Sequence, residues 1–207
     1  MGKKLLLFDL DGVLLDSRLN MSKAWEAVQS QLNIQVSFER YFAQIGRPFG
    51  DIMKSLGLRD HAHEAERVFR VASMKNLHLL EFFPGVESSL VEAHTSGFQL
   101  GVVTSKDKMR TDAILALLPV EFVTVRTPEP GYRGKPAPDH LLAACAEANR
   151  DPCETLYVGD MFFDYSAAFR AGIDYVHVRW GYGDRPADCS RTVNSMRELL
   201  DLAYQWS

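Results

Sequence analysis

Short apolar runs alternate along the chain with longer stretches that have helical spacing. The first run is Leu5–Phe8, and four further segments have the length and composition of buried strands. These segments are 98–104, 121–125, 155–159 and 175–178. Helical spacing is found at 86–95, 108–118, 138–148, 163–171 and 193–204. The alternation predicts an α/β fold: a doubly wound parallel sheet with helices on both faces.

One long stretch interrupts the alternation. Between residues 17 and 83 the apolar positions, such as Trp25 and Val28, have helical spacing, and no strand pattern is found. This stretch is far longer than an ordinary connection between a strand and a helix. We therefore expect a small inserted α-helical domain. The expected division is a helical cap domain at 17–83 and a core domain at 1–16 and 84–207.

Composition and charge narrow the class of partner. The 207 residues are 46% hydrophobic and 24% charged, with a formal net charge of −4. No dense basic run and no bilayer-length apolar run occurs, so we expect neither a nucleic-acid partner nor a membrane. The three cysteines lack metal-type spacing, so we expect reduced thiols and a cytoplasmic location. A small anionic metabolite is compatible with this charge.

Polar residues stand where three predicted strands end. They are Asp9 and Asp11 after the first strand, Thr104 and Ser105 after the second, and Asp160 after the fourth. The carboxyl ends of parallel strands lie at one edge of a sheet, so we expect these side chains to converge. Two neighbouring carboxylates repel unless a metal ion, a proton or a basic side chain compensates them. Lys135, in a proline-stiffened loop, is a candidate cation.

Four segments of the chain resemble, in the same order, the four motifs of the haloacid dehalogenase superfamily. They are Phe8-Asp9-Leu10-Asp11-Gly12-Val13, Val102-Val103-Thr104-Ser105-Lys106, Gly134-Lys135-Pro136-Ala137-Pro138-Asp139 and Val158-Gly159-Asp160-Met161-Phe162-Phe163-Asp164. The resemblance covers essentially the whole chain. It implies a Rossmann-like core, a helical cap inserted after the first motif and phosphoryl-transfer chemistry on a small phosphorylated metabolite.

The resemblance also implies catalytic and substrate-binding roles. Asp9 would be the nucleophile that forms an aspartyl-phosphate, and Asp11 the general acid and then the general base. Thr104 and the amide of Ser105 would donate hydrogen bonds to a phosphoryl oxygen. Gly12 would let the backbone turn and approach the substrate.

Mg²⁺ is the cofactor that the resemblance implies, since it prefers oxygen ligands. The implied ligands are the Asp9 carboxylate, the main-chain carbonyl of Asp11 and the Asp160 carboxylate. Asp164 would complete the metal site, chiefly as a group that orients a metal-bound water or Lys135 rather than as a direct ligand. Lys135 would offset the charge of the nucleophile and the phosphate.

Simpler interpretations exist for several of these residues. Thr104 is also suited to cap the helix that begins near Asp107. Asp164 is also suited to the first turn of a helix, where the helix dipole favours an acid. A lysine such as Lys135, taken alone, is typically solvated. The alternative for Asp9 and Asp11 is that they are ordinary surface charges at the end of the first strand.

Within the superfamily, the residues favour phosphate hydrolysis. An acid at Asp11 favours phosphoryl over carbon–halogen chemistry. Phosphomutases usually carry a histidine where this chain has Asn20 and Met21, which favours hydrolysis over mutase activity.

The segment Arg179-Trp180-Gly181-Tyr182-Gly183 is similar to one common in phosphoglycolate phosphatases and related pyrophosphatases, although packing is an alternative for its aromatic residues. The segment Thr104-Ser105-Lys106 departs from the Thr-Asn-Lys frequent in phosphoglycolate phosphatases.

The cap is expected to decide the substrate. Arg47, in a loop with two glycines and a proline, is the candidate to hold a polar or anionic leaving group, with a solvated arginine as the alternative. We expect the four histidines of the presumed helices to be surface or interhelical residues: His61, His63, His78 and His94. A phosphomutase, a pyrophosphatase and a non-catalytic phosphate-sensing or scaffold protein are the alternatives to a phosphatase.

Overall fold

The computed structural model of the protein describes residues 2 and 4–206. Two compact units are present. The core unit consists of the residues up to Leu15 and from Phe82 onward, and the cap unit is Asp16–Glu81. The expected domain limits at residues 1 and 207 lie outside the described residues, and the division into separate domains stays a prediction.

The helices and strands follow one another as an alternating α/β pattern with one helical insertion. The strands are β1 (Leu5–Phe8), β2 (Leu15–Asp16), β3 (Glu81–Phe82), β4 (Gln99–Val103), β5 (Thr124–Arg126), β6 (Thr155–Gly159), β7 (Asp174–Val178) and β8 (Thr192–Val193). The helices are α1 (Arg18–Leu32), α2 (Phe38–Phe42), α3 (Phe49–Ser55), α4 (Ala62–Lys75), α5 (Val86–Thr95), α6 (Lys108–Leu115), α7 (Asp139–Glu147), α8 (Phe162–Ala171) and α9 (Met196–Gln205). None of the helices in the described part of the chain has the length and hydrophobicity that a membrane crossing requires.

The core unit contains a parallel sheet whose strand order, over the described residues, is β5-β4-β1-β6-β7-β8. Strand β1 pairs with β4 on one side and with β6 on the other, so that Leu5 stands opposite both Gln99 and Thr155. Every residue of β1 and β6 is buried, as the apolar runs predict for inner strands. The predicted α/β fold with an inserted helical cap is confirmed. The carboxyl ends of β4, β1 and β6 are consecutive along one edge, where such sheets bind ligands.

Strand β5 and helix α6 each stop three residues short of one expected end. Strand β5 begins at Thr124, not at residue 121, because pairing with β4 starts at Gly101–Thr124 and the preceding Val123 is 44% exposed. Helix α6 ends at Leu115, not at residue 118. Leu118 precedes a proline, which disfavours helical backbone, and its N–H closes a tighter turn to the Leu115 carbonyl.

Strands β2, β3 and β8, which were not expected, contain only two residues each. Residues 192 and 193 form β8, and α9 begins at Met196 because the Ser195 hydroxyl caps it by accepting from the Glu198 N–H at 3.1 Å. Strands β2 and β3 pair where the chain passes between the two units, so the expectation of no strand up to residue 83 is wrong. A two-residue strand has no periodicity from which it could be predicted.

Candidate active site

A buried lysine joins two carboxylates at the carboxyl edge of the sheet. Lys135 Nζ lies 2.8 Å from Asp9 Oδ1 and 2.7 Å from Asp164 Oδ1, and it donates to the Tyr157 hydroxyl at 2.8 Å. Asp9 directly follows β1, Tyr157 lies within β6, and Asp164 lies in the first turn of α8. The solvated alternative for Lys135 is therefore wrong, since the residue is only 3% exposed.

Asp160 is held in a cradle of glycines. It directly follows β6 and is fully buried, and its Oδ2 accepts the Tyr182 N–H at 2.7 Å. A Cβ on Gly12 would lie 2.2 Å from Asp160 Oδ2, and one on Gly181 would lie 2.3 Å from Asp160 Cβ. Only glycine therefore lets the backbone approach this carboxylate so closely. The other oxygen, Oδ1, is buried and has no hydrogen-bond partner within residues 2 and 4–206.

Three of these carboxylates form a cluster that could hold a metal ion. Asp9, Asp160 and Asp164 each offer an oxygen, and these oxygens lie within 4.8 Å of one another. When all three are ionised, three negative charges and the single positive charge of Lys135 leave a net charge of −2. A divalent cation would balance this charge, and Asp160 is one of the residues that offer it a carboxylate oxygen.

Burial and the charges of neighbouring groups shift the pKa values of Asp9, Asp160 and Lys135. Burial raises the pKa of Asp9 to about 7 despite the opposing attraction of Lys135, and the charge of Asp164 adds to the rise. Burial, followed by repulsion from Asp164 and Asp9, holds the pKa of Asp160 well above its ordinary value. Burial alone would lower the pKa of Lys135, but the attraction of Asp164 and Asp9 outweighs it and raises that pKa. The lysine therefore stays charged.

Asp11 has a separate lysine partner. Lys106 Nζ lies 3.0 Å from Asp11 Oδ1, and the lysine side chain is 2% exposed while that of Asp11 is 16% exposed. Lys106 lies in the second motif, but the sequence alone does not indicate this contact. The signal that was available is its position, two residues after Thr104 at the end of a buried strand.

The end of β4 brings Thr104 and Ser105 to the same edge. Thr104 is buried, and its Oγ1 accepts the Lys106 N–H at 3.2 Å. The capping alternative for Thr104 is wrong, because Asp107 is the residue that caps α6 and accepts the Arg110 N–H at 3.2 Å. The phosphate-binding roles of Thr104 and Ser105 stay predictions.

The two carboxylate oxygens of Asp164 accept hydrogen bonds from different groups. Its Oδ1 accepts from Lys135 and, at 3.1 Å, from the Tyr157 hydroxyl. Its Oδ2 accepts the N–H groups of Asp160 and Met161 at 3.3 and 3.0 Å, as an acid in the first turn of a helix does. The helix-terminal interpretation and the contact with Lys135 therefore both apply. Direct metal ligation by Asp164 stays a prediction.

A family model for haloacid dehalogenase-like hydrolases matches residues 6–178. This range holds most of the chain and includes all the clustered carboxylates. The chain belongs to the haloacid dehalogenase-like hydrolase family. The resemblance seen in the four motifs is thereby confirmed.

Relatives within this family include enzymes of more than one kind. The tyrosine-protein kinase PtkA of Mycobacterium tuberculosis is 30% identical over 211 residues, which cover 95% of this chain and 72% of PtkA. A phosphoglycolate phosphatase of Cupriavidus necator is 30% identical over 206 residues, which cover 95% of this chain and 89% of the relative. The crystal structure of a hydrolase from Pseudomonas syringae has a TM-score of 0.87 at 25% identity, over 98% of both chains. The expectation of a phosphatase of the haloacid dehalogenase-like family is confirmed.

Two residues predicted to bind substrate, Arg47 and Gly12, make hydrogen bonds to residues outside the carboxylate cluster. Arg47 lies in the cap unit, and its Nη1 donates to Gln44 Oε1 at 2.8 Å. Its role in binding a leaving group stays a prediction. Gly12 has a φ of +83°, and its N–H donates to the Leu15 carbonyl at 2.9 Å. The glycine is thus required for the turn and for the approach to Asp160, while its contact with substrate stays a prediction.

The segment after β7 contacts the loop that follows β1. Trp180 Nε1 donates to the Val13 carbonyl at 3.0 Å, and the Tyr182 hydroxyl donates to the Leu15 carbonyl at 3.4 Å. Both aromatic residues therefore hold the loop that carries Gly12, in addition to the contact of the Tyr182 N–H with Asp160.

Four histidines are exposed, as expected: His61, His63, His78 and His94.

Proposed function

We propose that this enzyme is a Mg²⁺-dependent phosphatase that hydrolyses a small-molecule phosphate monoester through an aspartyl-phosphate on Asp9. Phosphoglycolate or a similar short anionic ester is the proposed substrate. The observation that carries the proposal is the environment of Asp9, which is buried, paired with Lys135 and clustered with the Asp160 and Asp164 carboxylates. A cytoplasmic location stays a prediction.

The donor set fits Mg²⁺, because every group offered is an oxygen and two excess negative charges are available. The Asp9 and Asp160 carboxylates and the main-chain carbonyl of Asp11 would hold the ion. When bound, Mg²⁺ would neutralise charge on the phosphoryl oxygens. Asp164 would act through Lys135, whose ammonium group it contacts at 2.7 Å.

The residues of the chain divide the reaction into two displacements. Asp9 attacks phosphorus, and the bond from phosphorus to the leaving oxygen breaks as the Asp11 carboxyl group gives its proton to that oxygen. A water molecule then attacks the phosphorus, Asp11 accepts the proton of that water, and the bond between Asp9 and phosphorus breaks to release phosphate. Lys135 offsets negative charge on Asp9 and on the phosphoryl group in both steps.

The contacts of Asn20 support hydrolysis over mutase activity. Asn20 Nδ2 donates to the carbonyls of Ser73 and Asn76 at 2.9 and 2.8 Å, and Asn20 Oδ1 accepts the Ser73 hydroxyl at 2.6 Å. The side chain is buried and hydrogen-bonded within the cap unit. It therefore does not replace the histidine that phosphomutases usually carry there. With hexose 1-phosphate we expect free phosphate, and formation of hexose 6-phosphate would support the mutase instead.

The direct test measures phosphate release from phosphoglycolate, pyrophosphate, sugar phosphates, nucleotides and 4-nitrophenyl phosphate, with and without Mg²⁺. We expect release that requires Mg²⁺, is fastest for a short phosphate monoester and is abolished in Asp9→Asn. The exposed Asp60→Asn is the matched control and should retain activity. The highest kcat/KM on pyrophosphate would favour the pyrophosphatase alternative. Absence of release from every compound would favour the non-catalytic alternative.

A further inference from the structure

The two lysines at the carboxyl edge of the sheet have different carboxylate partners. Lys135 contacts Asp9 and Asp164, whereas Lys106 contacts Asp11. Lys106 is as deeply buried as Lys135: their side chains are 2% and 3% exposed. A buried ammonium group without a partner is strongly destabilising, and Asp11 is the carboxylate that pairs with Lys106, at 3.0 Å.

The backbone around Lys106 is fixed on both sides. Its N–H donates to Thr104 Oγ1 at 3.2 Å, and its carbonyl accepts the Thr111 hydroxyl at 3.4 Å. The next residue, Asp107, caps α6 and pairs with Arg110 at 2.5 Å. The lysine therefore leaves a rigid connection between β4 and α6, and its ammonium group can hold a carboxylate in one place.

The partly exposed side chain of Asp11 needs such a constraint. Its carboxylate is 16% exposed, in contrast to the fully buried Asp160 and Asp164. A general acid must present its proton within hydrogen-bond distance of the leaving oxygen, and a carboxyl group that samples several rotamers does so only part of the time. Lys106 contacts Oδ1, which leaves Oδ2 as the oxygen that carries the transferred proton.

We propose that Lys106 is a positioning residue for Asp11, which it holds in the rotamer that reaches the leaving-group oxygen. This inference rests on the proposed phosphatase function. The ammonium group of Lys106 transfers no proton and stays on Asp11 Oδ1 while the Asp11 proton moves to the leaving oxygen. Lys106 therefore matters most when the leaving group needs that proton.

The test compares two substrates with different leaving groups. The alkoxide released from phosphoglycolate requires a proton, whereas 4-nitrophenolate leaves readily without one. The measured quantity is kcat/KM, which reports the steps up to the first irreversible displacement. In Lys106→Met we expect kcat/KM for phosphoglycolate to fall by roughly 10²-fold, the size of a general-acid contribution, and kcat/KM for 4-nitrophenyl phosphate to fall far less.

Three further variants sharpen this comparison. Asp11→Asn should show the same preference for 4-nitrophenyl phosphate, and the double variant should be no worse than Asp11→Asn alone, because both changes remove one function. Lys108→Met is the matched control, since the Lys108 side chain is 75% exposed and pairs with Asp112 on the surface. It should leave both values of kcat/KM unchanged.

The ratio of the two kcat/KM values does not depend on the concentration of folded enzyme, so partial unfolding of Lys106→Met does not obscure it. An unchanged ratio in Lys106→Met, with both values lowered equally or not at all, would overturn the role of Lys106. Additive losses in the double variant would overturn it as well. Failure of the proposed function is seen differently: the unaltered protein itself would release no phosphate from either substrate.

Discussion

The Tyr157 hydroxyl accepts a hydrogen bond from Lys135 Nζ at 2.8 Å, inside the core of the enzyme. The same hydroxyl lies 3.1 Å from both Asp164 Oδ1 and the Val103 carbonyl, its two possible acceptors. The Lys135 ammonium group also lies 5.5 Å from the centre of the tyrosine ring. Tyr157 thus fixes the position of the lysine that compensates the nucleophile.

Tyr157→Phe should lower both activity and stability. Loss of the hydroxyl removes an acceptor for a buried ammonium group, so we expect the free energy of unfolding to fall by about 1–3 kcal/mol and kcat to fall by about tenfold. Tyr175→Phe is the matched control, because Tyr175 stands opposite Tyr157 on β7 and its hydroxyl contacts His177 instead. The control should retain kcat, and equal kcat losses in the two variants would contradict the role of Tyr157.

Gly181→Ala should weaken metal binding. The added methyl group would lie 2.3 Å from Asp160 Cβ, so the carboxylate or the loop must move. Changes around a metal ligand typically lower metal affinity by about 10- to 100-fold, and we expect the Mg²⁺ concentration at half-maximal activity to rise by that factor. Gly50→Ala is the control, because a Cβ at Gly50 meets no atom within 4 Å. An unchanged Mg²⁺ requirement in Gly181→Ala would count against the role of Asp160.

Asp160→Asn should remove most of the stabilisation that Mg²⁺ gives to the folded protein. Urea denaturation of the unaltered protein at an Mg²⁺ concentration 100 times the Kd should show a gain of about 2.7 kcal/mol in the free energy of unfolding. Asp160→Asn should lose most of this gain. Without Mg²⁺ it should be more stable than the unaltered protein, because the variant no longer buries a charge at this position and no longer repels Asp164 and Asp9.

Asp139→Asn is the control for that measurement, since Asp139 pairs with Arg133 near the surface. It should keep the full stabilisation by Mg²⁺. If Asp160→Asn were stabilised by Mg²⁺ as much as the unaltered protein is, the ion would bind elsewhere.

The parts of the site that the sequence predicts are those encoded locally. Asp9 and Asp160 each follow a fully buried strand, and a parallel sheet brings the carboxyl ends of its strands to one edge. Lys135 was recognisable only as part of a motif, because its partners lie 126 and 29 residues away along the chain.

The contacts that the sequence does not predict depend on side-chain positions after folding. The pair of Lys106 with Asp11 and the contact of Tyr157 with Lys135 join different loops and strands. A single buried lysine or tyrosine leaves no repeating pattern in the sequence from which its partner could be predicted. The cap of α6 shows the same limit locally. Thr104 and Asp107 are both good capping residues, and only the backbone path after β4 decides for Asp107.

Transfer of the phosphoryl group to Asp9 is the central step of the proposed reaction, and trapping the phosphorylated enzyme tests it most directly. The enzyme would be mixed with a slight excess of 4-nitrophenyl phosphate and Mg²⁺, quenched in acid within the first turnover and analysed by peptide mass spectrometry. We predict a phosphoryl group on Asp9 that forms and decays at rates consistent with turnover and is absent in Asp9→Asn. Steady hydrolysis by the unaltered protein without a phosphorylated Asp9, or hydrolysis that persists in Asp9→Asn, would contradict the account.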